Sequence, residues 1–329
     1  MRIIAGRWAA ARSSLTFGTS LLQYTAVQYT AVRRRHLIID IHTHLPRTRE
    51  ATPDKGTPKD YVPSRPDRFA RPRYTWKEFV EVMKPVDRVV VFNIARDPAA
   101  PPAAEEFMQS AQELNDTTAE FVKEQGGKFI GFMSVHPRDP KFLPEMDRAY
   151  HELGLRGVKL GPNYQNFDPL GEGAFQIYQK AQELKIPVLF HQGTSPSRFA
   201  DLDYAHPRHA DRIGMAFPDL KVVLAHMGHP WQTDCIAVIR KHPNIYADIS
   251  ALFYRPWSHY NCMRLATEWS VLHKLLFASD CPAAATPRET MDGMRKVNAV
   301  IEGTKLPPVP EDAIEEIIHR NSLELLGLE

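Results

Sequence analysis

The 329-residue chain is poor in cysteine: Cys235, Cys262 and Cys281 are odd in number, far apart and without CxxC spacing. Neither a disulfide framework nor a thiolate zinc site fits that pattern, and a reducing compartment follows as the default. Charge of one sign is lacking too. Lys and Arg number 41 against 39 Asp and Glu, so the net charge of +2 supplies no global field to draw in nucleic acid. No run of about 18 apolar residues occurs, and the sequence therefore offers no membrane span.

Acidic residues are missing before Asp40, where the chain instead carries Arg2, Arg7, Arg12 and Arg33 to Arg35 among several Ser and Thr. That composition fits an organelle transit peptide. The same stretch repeats QYTAV directly, from Gln23 and again from Gln28, which fits a neutral, disordered extension or a misassigned start. Residues 1–36 are accordingly set apart from the fold. The expected location is cytoplasmic, with mitochondrial targeting through the Arg-rich start as the alternative.

From Leu37 onward the composition is that of a globular protein, with 43% hydrophobic and 24% charged residues. Eight short apolar or β-branched runs recur, at 37–42, 88–94, 129–135, 155–160, 187–191, 221–226, 245–250 and 275–280. Between them apolar residues fall at helical spacing, as in Phe107, Ala111, Leu114, Ala119 and Val122. Two further helical stretches, near 288–300 and 311–326, follow the last run. Strands buried on both faces read as continuous apolar runs, and eight strand–helix units over residues 37–329 predict a single α/β domain, a (β/α)8 barrel. The segment from Pro46 to Tyr74, with Arg47, Arg49, Arg65, Arg68, Arg71 and Arg73, shows no periodicity and reads as a long loop over the mouth of that barrel.

The chemistry concentrates at the ends of the runs. Asp40-Ile41-His42-Thr43-His44 closes the first. Alternate residues of a strand share a face, so His42 and His44 can present two imidazoles to one ion. His191, His226 and Asp280 end runs five, six and eight. In a parallel barrel these ends converge on one mouth, and that convergence predicts a metal site.

The strings IDIHTH, LFHQGT, LAHMGHP and LFASDCP, in that order, resemble the amidohydrolase superfamily, and within it the amidohydrolase-2 branch. That branch includes aminocarboxymuconate semialdehyde decarboxylase, related aromatic-acid decarboxylases and lactone hydrolases. The resemblance runs from Leu37 to the C-terminus, where Arg320 to Leu328 is similar to the closing helix of the branch. It implies that His42, His44, His191 and Asp280 bind one divalent ion, with zinc expected and manganese the alternative. It also implies that His226 stands beside the ion as acid/base, and that Asp280 doubles as ligand and base. Zinc bound by nitrogen and oxygen lowers the pKa of its water to about 7, which suits hydrolysis.

Lys159 ends run four; carboxylated it would bridge a second ion, and unmodified it would pair with a substrate carboxylate. Arg47, nearest the histidine motif, is the arginine chosen for the same task. Asp40 is a candidate either to orient an imidazole or to make a plain structural hydrogen bond, and His136 to line the mouth. The expected partner is a small carboxylate-bearing substrate, with a homodimer as the oligomer considered. Hydrolysis of a carbonyl or lactone is the first reading. Several ring-carboxylate decarboxylases of the branch carry glutamate in place of the first histidine, and this chain does not. Decarboxylation of an aromatic or muconate-type acid is the alternative. A purely structural metal site would need no acid/base partner such as His226.

Overall fold

Each of the eight runs contributes a strand to a computed structural model that describes residues 37–46, 49–50, 74–99, 110–195, 197 and 200–329. The strands are β1 (Ile39–His44), β2 (Arg88–Phe92), β3 (Phe129–Gly131), β4 (Val158–Leu160), β5 (Val188–Phe190), β6 (Val222–Leu224), β7 (Ile245–Asp248) and β8 (Leu275–Leu276). Regular parallel pairing joins β1-β2-β3 and β4-β5-β6-β7-β8. Single parallel bridges close the two remaining seams, Met133 with Val158 and Thr43 with Cys281. At the second seam His44 N–H donates to the Cys281 carbonyl at 2.7 Å and Asp280 N–H to the His42 carbonyl at 2.9 Å. The ring is therefore complete, and the fold is the (β/α)8 barrel that the runs predict.

Alternation along the strands separates two apolar clusters. Val89, Val91, Val158, Leu160, Val188, Phe190, Val222 and Leu224 point outward into the helices. Val90, Phe92, Ile130, Leu189, Val223, Tyr246 and Leu276 fill the interior. Lys159, with no exposed surface, stands at the matching inner position of β4. The outer layer comprises α1 (Trp76–Val82), α2 (Ala111–Gln125), α3 (Phe142–His151), the short α4 (Pro162–Gln165), α5 (Glu172–Glu183), α6 (Arg208–Ala216), α7 (Gln232–Lys241), α8 (Pro256–Glu268) and α9 (Pro287–Arg295).

The stretch expected as one helix over 311–326 is two, α10 (Glu311–Ile318) and α11 (Ser322–Leu326). Asn321 breaks it, because its side chain accepts the Glu324 N–H as a new N-cap. The break lets α11 insert Leu323 and Leu326 into the inner cluster, closing the barrel at the end opposite the strand C-termini. Among the described residues no helix is long and apolar enough to cross a membrane. The N-terminal duplication, Arg47 and most of the arginine-rich segment lie outside the described residues.

Candidate active site

A register shift between Asp40 and Thr43 creates the site's first element. Ile39 and Ile41 pack in the barrel interior, but the extra residue in β1 reverses the alternation beyond them. His42 and His44 then share the inner face, with ring centroids 5.3 and 4.8 Å from that of Phe92. Thr43 turns outward, its hydroxyl donating to the Val90 carbonyl at 2.8 Å. The same shift decides between the two roles open to Asp40. Its carboxylate accepts the Ser279 N–H at 3.0 Å and the Ser279 hydroxyl at 2.5 Å, and it meets no imidazole. It fixes the residue just before Asp280 instead.

Two strand ends bend sharply to aim their side chains. His226 (φ 56°) and Asp280 (φ 58°) both adopt the left-handed conformation that favours glycine. Holding a non-glycine residue there costs on the order of 1–3 kcal/mol, and such strain clusters at functional sites. Asp280 Oδ1 comes to 3.1 Å from His44 Nε2 and 3.4 Å from His42 Nε2. One nitrogen from each histidine and one carboxylate oxygen thus lie within 4.8 Å of one another, a group able to hold an ion.

His191 lies beside this triad, with its Nδ1 3.3 Å from His226 Nε2. Its Nε2 is buried and has no hydrogen-bond partner. An orphaned buried acceptor is costly, and a metal ion is one group that would satisfy it. A second cluster of metal-binding residue types, His42, His226 and Asp248, already satisfies itself by hydrogen bonds. The triad is therefore the open group, and the unpartnered His191 Nε2 is not among the ligand atoms that lie within 4.8 Å of one another.

Asp248 and Ser250, at the end of β7, are participants that sequence reasoning missed. Asp248 Oδ2 accepts from His42 Nδ1 at 2.8 Å, and Oδ1 accepts the His226 N–H at 3.0 Å. The Ser250 N–H and hydroxyl reach the same Oδ1 at 3.0 and 2.5 Å. The available signal was positional: IYADIS puts an acid at a strand end that presented no histidine.

Electrostatics follow from burial. Lys159 Nζ sits 3.2 Å from His42 Nε2 and 4.8 Å from the Phe92 ring centroid. Burial lowers its pKa to about 7, against the pull of Asp280 and Asp248. Burial likewise pushes His226 down to about 4 and His191 well below the usual imidazole range. Burial would raise Asp248 and Asp280, but the surrounding histidines outweigh it and hold both carboxyls well below the ordinary range. Burial thus disfavours the charged forms of His191, His226 and Lys159, while Asp248 and Asp280 are held as carboxylates.

Several further residues fall outside this cluster. His136 is buried, with Nε2 2.7 Å from the Gln165 carbonyl and Nδ1 accepting the Arg138 N–H at 3.1 Å, so both ring nitrogens are engaged. His229 Nδ1 meets Gln232 Nε2 at 2.8 Å. Cys281 is buried, and burial pushes its thiol pKa up, as suits packing. Arg49 stacks 4.4 Å over the Trp76 ring and pairs with Glu120 and Glu124 of α2, away from the triad.

Fold and site together define a barrel protein with its reactive groups gathered at the strand C-termini. A family profile described as amidohydrolase matches residues 39–328, and the chain belongs to that family. It is 30% identical over 88 residues to 2-amino-3-carboxymuconate-6-semialdehyde decarboxylase of Dictyostelium discoideum. That match spans only 26% of this chain and 24% of the relative. An uncharacterised TIM-barrel protein from Bordetella bronchiseptica superposes with a TM-score of 0.62 at 20% identity, over 88% of this chain and 98% of the other. The 5-carboxyvanillate decarboxylase of Novosphingobium aromaticivorans, solved with manganese and 4-hydroxy-3-methoxy-5-nitrobenzoic acid, superposes with a TM-score of 0.61 at 18% identity, over 90% and 97%. These two likenesses bear on the fold.

Proposed function

We propose that this amidohydrolase-family protein is a metal-dependent enzyme that removes a carboxyl group, without an oxidant, from a small aromatic or muconate-type acid. The observation that carries the reading is the buried Lys159 amine beside an open ligand group, a pairing suited to a carboxylate substrate. The decarboxylase activity of the Dictyostelium relative supports the same choice over hydrolysis.

His42, His44, His191 and Asp280 would hold one divalent ion, zinc or manganese. When bound, such an ion supplies Lewis acidity toward a substrate carboxylate or an adjacent oxygen. Lys159 pairs with the substrate's negative charge inside a dry barrel, where that pairing gains strength. His226 delivers a proton from Nε2 to the carbon that loses carbon dioxide, so the carbon–carboxyl bond breaks as the carbon–hydrogen bond forms. Although burial keeps His226 neutral at rest, a bound anion favours its protonated form and readies it for that step. The catalytic unit is residues 37–329, with residues 1–36 an extension outside it.

Hydrolysis of a carbonyl or lactone is the second reading, and the neutral His226 favours it, since an uncharged imidazole serves as a base without prior deprotonation. The decisive experiment offers the purified protein carboxylated phenols, an amino-carboxymuconate semialdehyde and a pyrone dicarboxylate. Carbon dioxide release without water incorporation supports decarboxylation. Ring opening of the lactone with no carbon dioxide would replace it by hydrolysis.

A further inference from the structure

We propose that Asp248 sets the tautomers of three histidines at once, so that His42 and His191 each carry their proton on Nδ1 and keep the Nε2 lone pair for a metal ion. The inference deepens the metal-site reading and rests on it for its purpose, though not for its geometry.

The chain of hydrogen bonds has only one consistent direction. Four donors surround the Asp248 carboxylate: His42 Nδ1, the His226 and Ser250 N–H groups, and the Ser250 hydroxyl. An ionised carboxylate only accepts, so His42 carries its proton on Nδ1 and its Nε2 holds a lone pair, which faces Lys159 Nζ at 3.2 Å. On the second branch, the single hydroxyl proton of Ser250 goes to Asp248 at 2.5 Å. Ser250 Oγ must then accept from His226 Nδ1 at 2.8 Å. His226, protonated on Nδ1, turns a lone pair on Nε2 toward His191 Nδ1 at 3.3 Å. His191 donates there, and its bare Nε2 is the buried nitrogen that lacks a partner. Both outcomes follow from one carboxylate. Partners of this kind fix imidazole orientation and tautomer, and losing them typically weakens metal binding 10–100-fold.

Asp248 and Ser250 are positioning residues, and imidazole 15N shifts read their effect directly. The full chain, stripped of metal, is compared with Ser250→Ala and Asp248→Asn, and the same samples are titrated with Zn2+ against a chromophoric chelator. The expected wild-type pattern is a proton on Nδ1 of His42, His226 and His191. Ser250→Ala should disturb His226 and His191 while leaving His42 unchanged, and Asp248→Asn should disturb all three. Zn2+ affinity should fall about 10–100-fold in Asp248→Asn and less in Ser250→Ala. A wild-type proton on Nε2 of His42 or His191, or a His191 signal indifferent to Ser250→Ala, overturns the inference. The expected tautomers in a chain that takes up no Zn2+ would support the inference and sink the metal reading. Tight Zn2+ binding unchanged in both variants would do the reverse.

Discussion

Lys159→Met should make the metal-free protein more stable and inactive. Lys159 occupies an inner barrel position with no exposed surface, where neighbouring strands place Leu189, Val223 and Tyr246. Burial lowers its pKa from 10.5 to about 7, a gap worth about 5 kcal/mol at about 1.4 kcal/mol per pH unit. The sign follows from proton binding. Between those two values the unfolded chain holds the lysine proton more tightly than the folded one, so wild-type stability rises with pH across that window. The penalty is full below about pH 7 and vanishes toward pH 10.5. Nearby Asp280 and Asp248 offset part of it, and replacing buried charges by apolar groups of similar volume gains about 1–4 kcal/mol when it gains at all. We expect a gain in that range at pH 6.5, shrinking toward zero at pH 10, by urea unfolding of chelator-treated wild type and variant. Decarboxylation should fall to background. A variant less stable at pH 6.5, or one whose advantage ignores pH, would refute the view of Lys159 as a cation kept at a cost.

His191→Ala should lower metal content from about one ion per chain to near zero by elemental analysis, since it deletes the partnerless Nε2; retention of a full equivalent would remove His191 from the ligand set. Asp40, raised to about 7 by burial despite its bonds from Ser279 and His42, is protonated more readily in the folded chain. Stability should therefore decline as pH rises from about 4 to 7, and Asp40→Asn should flatten that slope in thermal melts. Ser279→Ala deletes a 2.5 Å hydroxyl bond to that carboxylate and should cost about 1.5–3 kcal/mol in urea unfolding. Gly193→Ala should cost more than about 1 kcal/mol, because Gly193 has φ +92° and a Cβ would lie 2.1 Å from the His229 carbonyl oxygen; an unchanged unfolding midpoint would contradict that packing.

Strands and mouth residues were legible because a barrel buries both faces of every strand, so apolar runs mark the strands and polar residues at their ends mark the mouth. His42, His44, Asp280, His191 and His226 stood out by that logic. The irregularities did not. The register shift in β1 follows from how β1 meets β2 and β8, long-range partners that no local pattern encodes. Strand parity consequently left Asp40 open between two roles, and only the shift shows that it serves Ser279 rather than an imidazole. Asp248 was overlooked because an aspartate at a strand end attracts notice only once its partners, His42 and His226, are known to face it. The break before α11 was missed because Asn321 interrupts a pattern whose apolar spacing continues through it.

The distribution of backbone strain argues that the mouth is kept for chemistry rather than stability. Seven described non-glycine residues have positive φ, and three of them, Asn166, Lys185 and Ser270, simply follow helices. That is an ordinary place for the left-handed conformation. The other four, His226, Met227, Ala251 and Asp280, follow strands β6, β7 and β8 around the ligand cluster. At about 1–3 kcal/mol each, they oppose folding by an amount comparable to the net stability of many domains. What holds them is local and polar: His226 N–H on Asp248 at 3.0 Å, and Asp280 N–H on the His42 carbonyl at 2.9 Å. At the opposite end Lys185 and Ser270 only terminate helices, and Leu323 and Leu326 seal the barrel against apolar strand residues. Relaxing either bend would swing His226 away from His191 or Asp280 away from His44, so the strain is the means by which the ends of β6 and β8 aim their side chains into the mouth.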